Sequence, residues 1–118
     1  DLLPVVSVLG AFAEGETRIF NAEHVRFKES DRISVMAEEL SKMGVDVEER
    51  EDGLIVRGGR VMGGVVDAHG DHRVFMALTV AGLAAEGETI ISGDESVGVS
   101  YPSFLEDLAK LGASFRRV

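Results

Sequence analysis

Two stretches of this chain repeat each other, and a repeat constrains the fold more tightly than any single motif. Ala13-Glu14-Gly15-Glu16-Thr17-Arg18-Ile19 matches Ala85-Glu86-Gly87-Glu88-Thr89-Ile90-Ile91, with Gly15 and Gly87 72 positions apart. Glu39-Leu40-Ser41-Lys42-Met43-Gly44 matches Asp107-Leu108-Ala109-Lys110-Leu111-Gly112, 68 positions on, so the second copy is shorter between these anchors. Each copy reads as helix–strand–helix–strand. One supersecondary unit used twice implies an α/β layered domain, with helices packed on sheets. The first copy lacks the strand that should precede its first helix, which marks the chain as an incomplete domain.

Hydrophobic spacing supplies the elements. Leu2 to Ala13 is almost wholly apolar and reads as a buried helix, with Asp1 available as N-cap and Pro4 in the tolerant first turn. Thr17 to Phe20 follows as a short strand. From Asp31 onward Ile33, Met36, Ala37, Leu40 and Met43 fall at helical spacing, and Gly44 suits the C′ position. Val45 to Glu48 alternates as a half-buried strand, and Asp52-Gly53 turns it into Leu54-Ile55-Val56 as a hairpin. Glycines 58, 59, 63 and 64 mark a loop. Val65-Val66 is a strand, Val74 to Ala85 a helix buried on most sides, and Thr89 to Ile91 the next strand. Phe104, Leu105, Leu108 and Leu111 form a last amphipathic helix, and Ala113 to Arg117 a final strand.

Composition narrows the partners. A chain of 118 residues that is 45% hydrophobic suits one domain with a real core. Its net charge of −9 argues against nucleic acid and against an anionic membrane surface. The longest apolar run, Val74 to Ala85, is too short to span a bilayer. With no cysteine there is no disulfide, thiolate nucleophile or cysteine metal site, and a cytoplasmic location is expected.

The repeat also serves as an internal control on charge. In copy one the connection into the second helix is Arg26-Phe27-Lys28-Glu29-Ser30-Asp31-Arg32, five of whose seven residues are charged. Its counterpart in copy two, Val97-Gly98-Val99-Ser100-Tyr101-Pro102, carries no charge. The fold therefore does not require those charges, which favours a functional site grafted onto it. The structural alternative is a solvated helix start with Ser30 as N-cap and Asp31 favouring the dipole. Arg32 stands in the first turn, where the macrodipole disfavours a cation, and an anion docked on the free N–H groups would account for it. Asp71-His72-Arg73 repeats this oddity at the start of an apolar helix. Asp71 is a good N-cap, and the Arg73 guanidinium is the usual bidentate partner of carboxylate or phosphate. His69 and His72 lack further histidines at ligand spacing, so no metal site is expected. No glycine run fits a phosphate loop, and no serine sits in a nucleophile elbow.

The same residues carry a resemblance. Arg26-x-Lys28-Glu29-Ser30-Asp31-Arg32, then Asp71-His72-Arg73-x-x-Met76-Ala77, resembles the C-terminal part of the 5-enolpyruvylshikimate-3-phosphate synthase family. Gly15-x-Thr17, Lys42-x-Gly44 and Ser100-Tyr101-Pro102-x-Phe104 extend the match over essentially the whole chain. The resemblance implies repeated βαβαββ units, three per domain, with the active site between two domains; this chain would hold two units of one domain, roughly 1–57 and 65–118. It implies transfer of an enolpyruvyl group from phosphoenolpyruvate to the 5-hydroxyl of shikimate 3-phosphate, with release of phosphate and no metal or organic cofactor. The opposing N-terminal domain would be the missing partner, and the isolated piece is expected to be inactive.

By the same resemblance Asp1 would contact the shikimate hydroxyls and accept a proton. Lys28 would contact shikimate 3-phosphate and assist proton transfer, with Glu29 as the second acid/base. Arg32 and Arg73 would hold phosphoenolpyruvate, and His72 would line the same wall. The chain departs from many family members at Val99, where they carry a Lys. The sister family, UDP-N-acetylglucosamine enolpyruvyl transferase, lacks the Lys-Glu-Ser-Asp-Arg run and ranks behind. A non-catalytic anion-binding or folding module is the competing reading.

Overall fold

The computed structural model describes residues 2–93. Asp1, Val99, the expected helix through Phe104 and Leu111 and the expected strand from Ala113 to Arg117 lie outside the described residues.

The apolar N-terminal run forms helix α1, Leu3–Phe12. Its N-cap is Leu2, which offers no side-chain acceptor, and not the expected Asp1; Pro4 in the first turn needs no N–H partner there. After it come β1 (Glu16–Ile19), α2 (Arg32–Lys42), β2 (Asp46–Arg50), β3 (Gly53–Arg57), β4 (Val65–Asp67), α3 (His72–Ala84) and β5 (Ile90–Ser92). Gly44 follows the α2 C-cap with φ +80, the left-handed conformation that glycine adopts without steric cost. A short 3₁₀ helix over Glu23–Phe27 has no counterpart in the hydrophobic spacing.

Strands β1, β3 and β2 form an antiparallel sheet in that order, with Ile19 opposite Leu54 and Val47 opposite Val56. The central β3 is buried from Gly53 to Val56, whereas β1 alternates. Arg50 pairs with Gly53, so the hairpin turn is Glu51-Asp52, one residue before the expected Asp52-Gly53. Asp52 is held in that turn by its neighbours, its carbonyl accepting from Ala22 N–H at 2.8 Å and its Oδ2 from Asn21 N–H at 2.9 Å. Strands β4 and β5 pair in parallel, joined through α3 as a βαβ unit. Between the sheets Ile33, Met36, Leu40, Leu54, Val74 and Leu78 are fully buried in one core.

The repeat seen in the sequence reappears as repeated packing. A Cβ on Gly10 of α1 would stand 2.9 Å from Thr17 Cβ, and one on Gly82 of α3 would stand 3.0 Å from Thr89 Cβ. Both pairs are separated by seven residues, and in both the missing side chain lets a helix lie close on the following strand. The buried hydroxyls of Ser7 and Thr79, 72 positions apart, each donate back to a carbonyl of their own helix, Pro4 at 2.7 Å and Phe75 at 2.8 Å.

Adjacent glycines provide a test of this close packing. A Cβ on Gly58 would run into the Ala13 carbonyl, whereas one on Gly59 meets nothing within 4 Å. In urea denaturation Gly58→Ala is expected to cost on the order of 3 kcal/mol or more, and Gly59→Ala within about 0.5 kcal/mol.

Candidate active site

The two charged motifs meet because the starts of α2 and α3 are adjacent. Asp71 is the N-cap of α3, its Oδ1 accepting from Arg73 N–H at 3.0 Å and Val74 N–H at 3.4 Å. The same carboxylate accepts from Arg32 Nε at 2.8 Å on Oδ2 and from Arg32 Nη2 at 3.1 Å on Oδ1. Ser30 adds a fifth donor, its hydroxyl giving to Oδ2 at 2.7 Å. Arg32 is 3% exposed and Asp71 0%. Burial alone would push the Asp71 carboxyl up, but the Arg32 guanidinium, the Ser30 hydroxyl and the Val74 N–H outweigh it and hold the group below its ordinary value.

Two expectations change here. Ser30 is not the N-cap of α2. Its hydroxyl is spent on Asp71, and Asp31 caps instead, its Oδ1 accepting from Ser34 N–H at 3.1 Å. The anion that offsets the Arg32 cation in the first turn of α2 is Asp71, an internal carboxylate 39 positions away, and no local pattern of residues announces the pairing.

Glu29 bridges the motifs on the solvent side. Its Oε2 accepts from Arg32 Nη2 at 2.7 Å and stands 3.3 Å from His72 Nδ1. Lys28 is exposed at the end of the 3₁₀ helix and engages no partner among the described residues. Arg73, exposed in the first turn of α3, likewise makes no side-chain ion pair there and borders a groove of about 210 Å³ between α1 and α3, lined by Leu2, Pro4, Val5, Met76, Ala77 and Val80. The structure thus brings Glu29, Arg32 and His72 into contact and leaves Lys28 and Arg73 open. Asp1 lies outside the described residues.

Arg26, at the head of the charged run, is architectural. It donates to the carbonyls of Glu51 at 2.9 Å and Arg50 at 2.7 Å, and to the carboxylates of Asp31 at 2.8 Å and Glu49 at 3.0 Å, tying the hairpin to the cap of α2. His69 and His72 point to different neighbours. His72 groups with Glu29 and Asp71, His69 with Glu38 and Glu39, and in each group the buried carboxylate is already engaged by a cation, Arg32 or Lys42. Among the described residues no helix is long and apolar enough to cross a membrane.

The sequence pattern of EPSP synthase (3-phosphoshikimate 1-carboxyvinyltransferase) matches residues 1–108. The chain is 63% identical over 113 residues to the 3-phosphoshikimate 1-carboxyvinyltransferase of Methanocella arvoryzae, and 62% over 115 residues to that of Halobacterium salinarum. Each alignment covers 96% of this chain but 27% of the relative, so the chain spans about a quarter of their length. Among solved structures it is similar to an EPSP synthase from Acinetobacter baumannii, with TM-score 0.86, 41% identity and coverage of 93% of this chain and 26% of the other. It is also similar to the enolpyruvyl transferase NikO from Streptomyces tendae, with TM-score 0.76, 34% identity and coverage of 96% and 25%. The α/β arrangement of enolpyruvyl transferases is therefore the fold of this chain, present here as an incomplete domain.

The buried pair sets two expectations. Arg32→Met strands the Asp71 carboxylate and should cost about 3–5 kcal/mol of stability by chemical denaturation. Because the folded Asp71 titrates below its ordinary 3.8, its contribution is complete above that value and is lost as pH falls through the lower folded value. Urea midpoints measured from neutral to acid pH should fall less steeply in Asp71→Asn, from a lower starting point.

Proposed function

The chain belongs to the EPSP synthase family, and on that premise we propose that it is part of an enzyme transferring the enolpyruvyl group of phosphoenolpyruvate to the 5-hydroxyl of shikimate 3-phosphate, with release of phosphate. The observation that carries this reading is the convergence of the two motifs through Arg32 and Asp71, which lines up Glu29 and His72 beside the open cations Lys28 and Arg73.

Both substrates are anions, and the enolpyruvyl carbon must be attacked by a hydroxyl while the methylene carbon gains a proton. Lys28 binds shikimate 3-phosphate and assists proton transfer from the attacking hydroxyl, with Asp1 contacting the shikimate hydroxyls and accepting the proton. Glu29 acts at the methylene carbon: its carboxyl proton passes to that carbon, and the resulting carboxylate takes a proton back from the methyl group as the tetrahedral intermediate expels phosphate. Its carboxylate is oriented for this by Arg32 and His72. Arg73 and Arg32 hold phosphoenolpyruvate, Arg32 as a cation whose Nε and Nη2 are already fixed by Asp71 and Glu29. A cation fixed in place before the substrate arrives needs no reorganisation as charge develops.

Residues 1–57 and 65–118 form two repeat units of one domain, in a cytoplasmic enzyme whose remaining chain supplies the opposing wall. Alone, this piece does not turn over.

The test is phosphate release from the two substrates by the full-length protein that carries this chain. Lys28→Ala is expected to lower kcat by at least about 100-fold with an unchanged melting temperature, and Arg73→Ala to raise KM for phosphoenolpyruvate by about tenfold or more. A wild-type protein that releases no phosphate, or a Lys28 variant with undiminished kcat, overturns the reading.

A further inference from the structure

We propose that Glu39 and His69 are positioning residues for the reaction: together they clamp the turn between β4 and α3 and so fix where Asp71, His72 and Arg73 stand. The inference rests on the transferase reading above and adds two residues outside the motifs that carry it.

Glu39 is 0% exposed, although it is a carboxylate in the middle of α2. Its Oε1 accepts from Asp67 N–H at 2.8 Å, at the last residue of β4, and its Oε2 lies 3.1 Å from His69 Nε2. A carboxylate held ionised only accepts, so His69 donates from Nε2. Both Glu39 oxygens also accept from Lys42 Nζ at 3.0 Å. Burial pushes this carboxyl up, and the Asp67 N–H, His69 and Lys42 together bring it below its ordinary value, so the anion persists in the core.

The turn it grips is an unusual one. His69 and Gly70 are consecutive left-handed residues, φ 55 and φ 70, and His69 has a side chain that this conformation disfavours. The turn is closed by His69 N–H donating to Asp67 Oδ1 at 2.7 Å and by Asp71 N–H donating to the Ala68 carbonyl at 3.0 Å. Rotation about these two residues would swing the start of α3, and with it His72 and Arg73. The bond from His69 to Glu39 opposes that rotation.

Arg32 and Glu39 lie seven residues apart on α2, two helical turns, and therefore on the same face. Arg32 holds the far end of the turn at Asp71, and Glu39 holds the near end at Asp67 and His69. One helix thus grips both ends of the segment that presents the phosphoenolpyruvate residues, with opposite charges. A misplacement of about 1 Å in a reacting site can cost on the order of 100-fold, so loosening one end is enough to be read in kinetics.

The experiment uses His69→Asn in the full-length protein. Asn tolerates the left-handed conformation but is too short to reach Glu39. The expected result is a KM for phosphoenolpyruvate raised about tenfold, a KM for shikimate 3-phosphate changed by less than about twofold, a melting temperature nearly unchanged, and altered imidazole NMR shifts of His72. Glu39→Gln keeps an acceptor for Asp67 N–H but leaves one oxygen for three donors, Asp67 N–H, His69 Nε2 and Lys42 Nζ, and should show the same split. An unchanged KM for phosphoenolpyruvate overturns the proposal, as does a parallel loss of both KM values and melting temperature, which would mark a purely structural role. Should the wild-type protein fail to turn over, the transferase reading falls, and the His72 resonances still decide the clamp: shifted in His69→Asn they support it, unshifted they overturn it.

Discussion

A single buried carboxylate, Asp71, organises the described part of this protein. It accepts from two backbone N–H groups of α3, from two nitrogens of Arg32 at the start of α2, and from the Ser30 hydroxyl. Two helix N-termini, each with partial positive charge, would repel if brought together around a lone cation. An anion between them removes the conflict, and Arg32 neutralises that anion where water cannot reach. Such a pair adds little net stability over well-packed apolar residues, because both charges lose their hydration. What it contributes is position: the bonds converge in directions that no hydrophobic contact could specify.

Around this point the fold supplies repetition and the site supplies exception. Gly10 against Thr17 and Gly82 against Thr89 set the same helix–strand approach in both copies, and Ser7 and Thr79 make the same kind of bond within their helices. The charged run at the start of α2 belongs to one copy alone. Packing is thus reused in both copies, whereas the charges of this one connection serve the fold, through Arg26 and Arg32, as well as the candidate chemistry.

Much of this was legible in the residues. The apolar spacing of Ile33, Met36, Leu40 and Met43 located α2, Gly44 its end and Asp71 the start of α3, because helix period and caps are local signals. Lys28, Glu29, Arg32, His72 and Arg73 stood out because charges at the start of apolar helices are conspicuous. The rest depends on contacts distant in sequence. From spacing alone Arg32 reads as a lone cation at a helix start, because its partner Asp71 lies 39 positions away and no local pattern announces the pairing. Ser30 beside Asp31 offered two possible caps, and the nearness of Asp71 decided between them. Glu39 carried one unread signal, since it sits three residues after Met36 and four before Met43, on the buried face of α2.

The mutual dependence of Arg32 and Asp71 also bears on how such a sequence can drift. Losing either partner leaves the other charge uncovered in the core, so each single replacement costs stability that a joint replacement need not. An exchange that keeps both helices in place needs two coordinated changes 39 residues apart in the chain. The two motifs are therefore coupled by a constraint on folding, apart from whatever catalysis demands of them, and the flanking Phe27, 86% exposed, is free of that coupling.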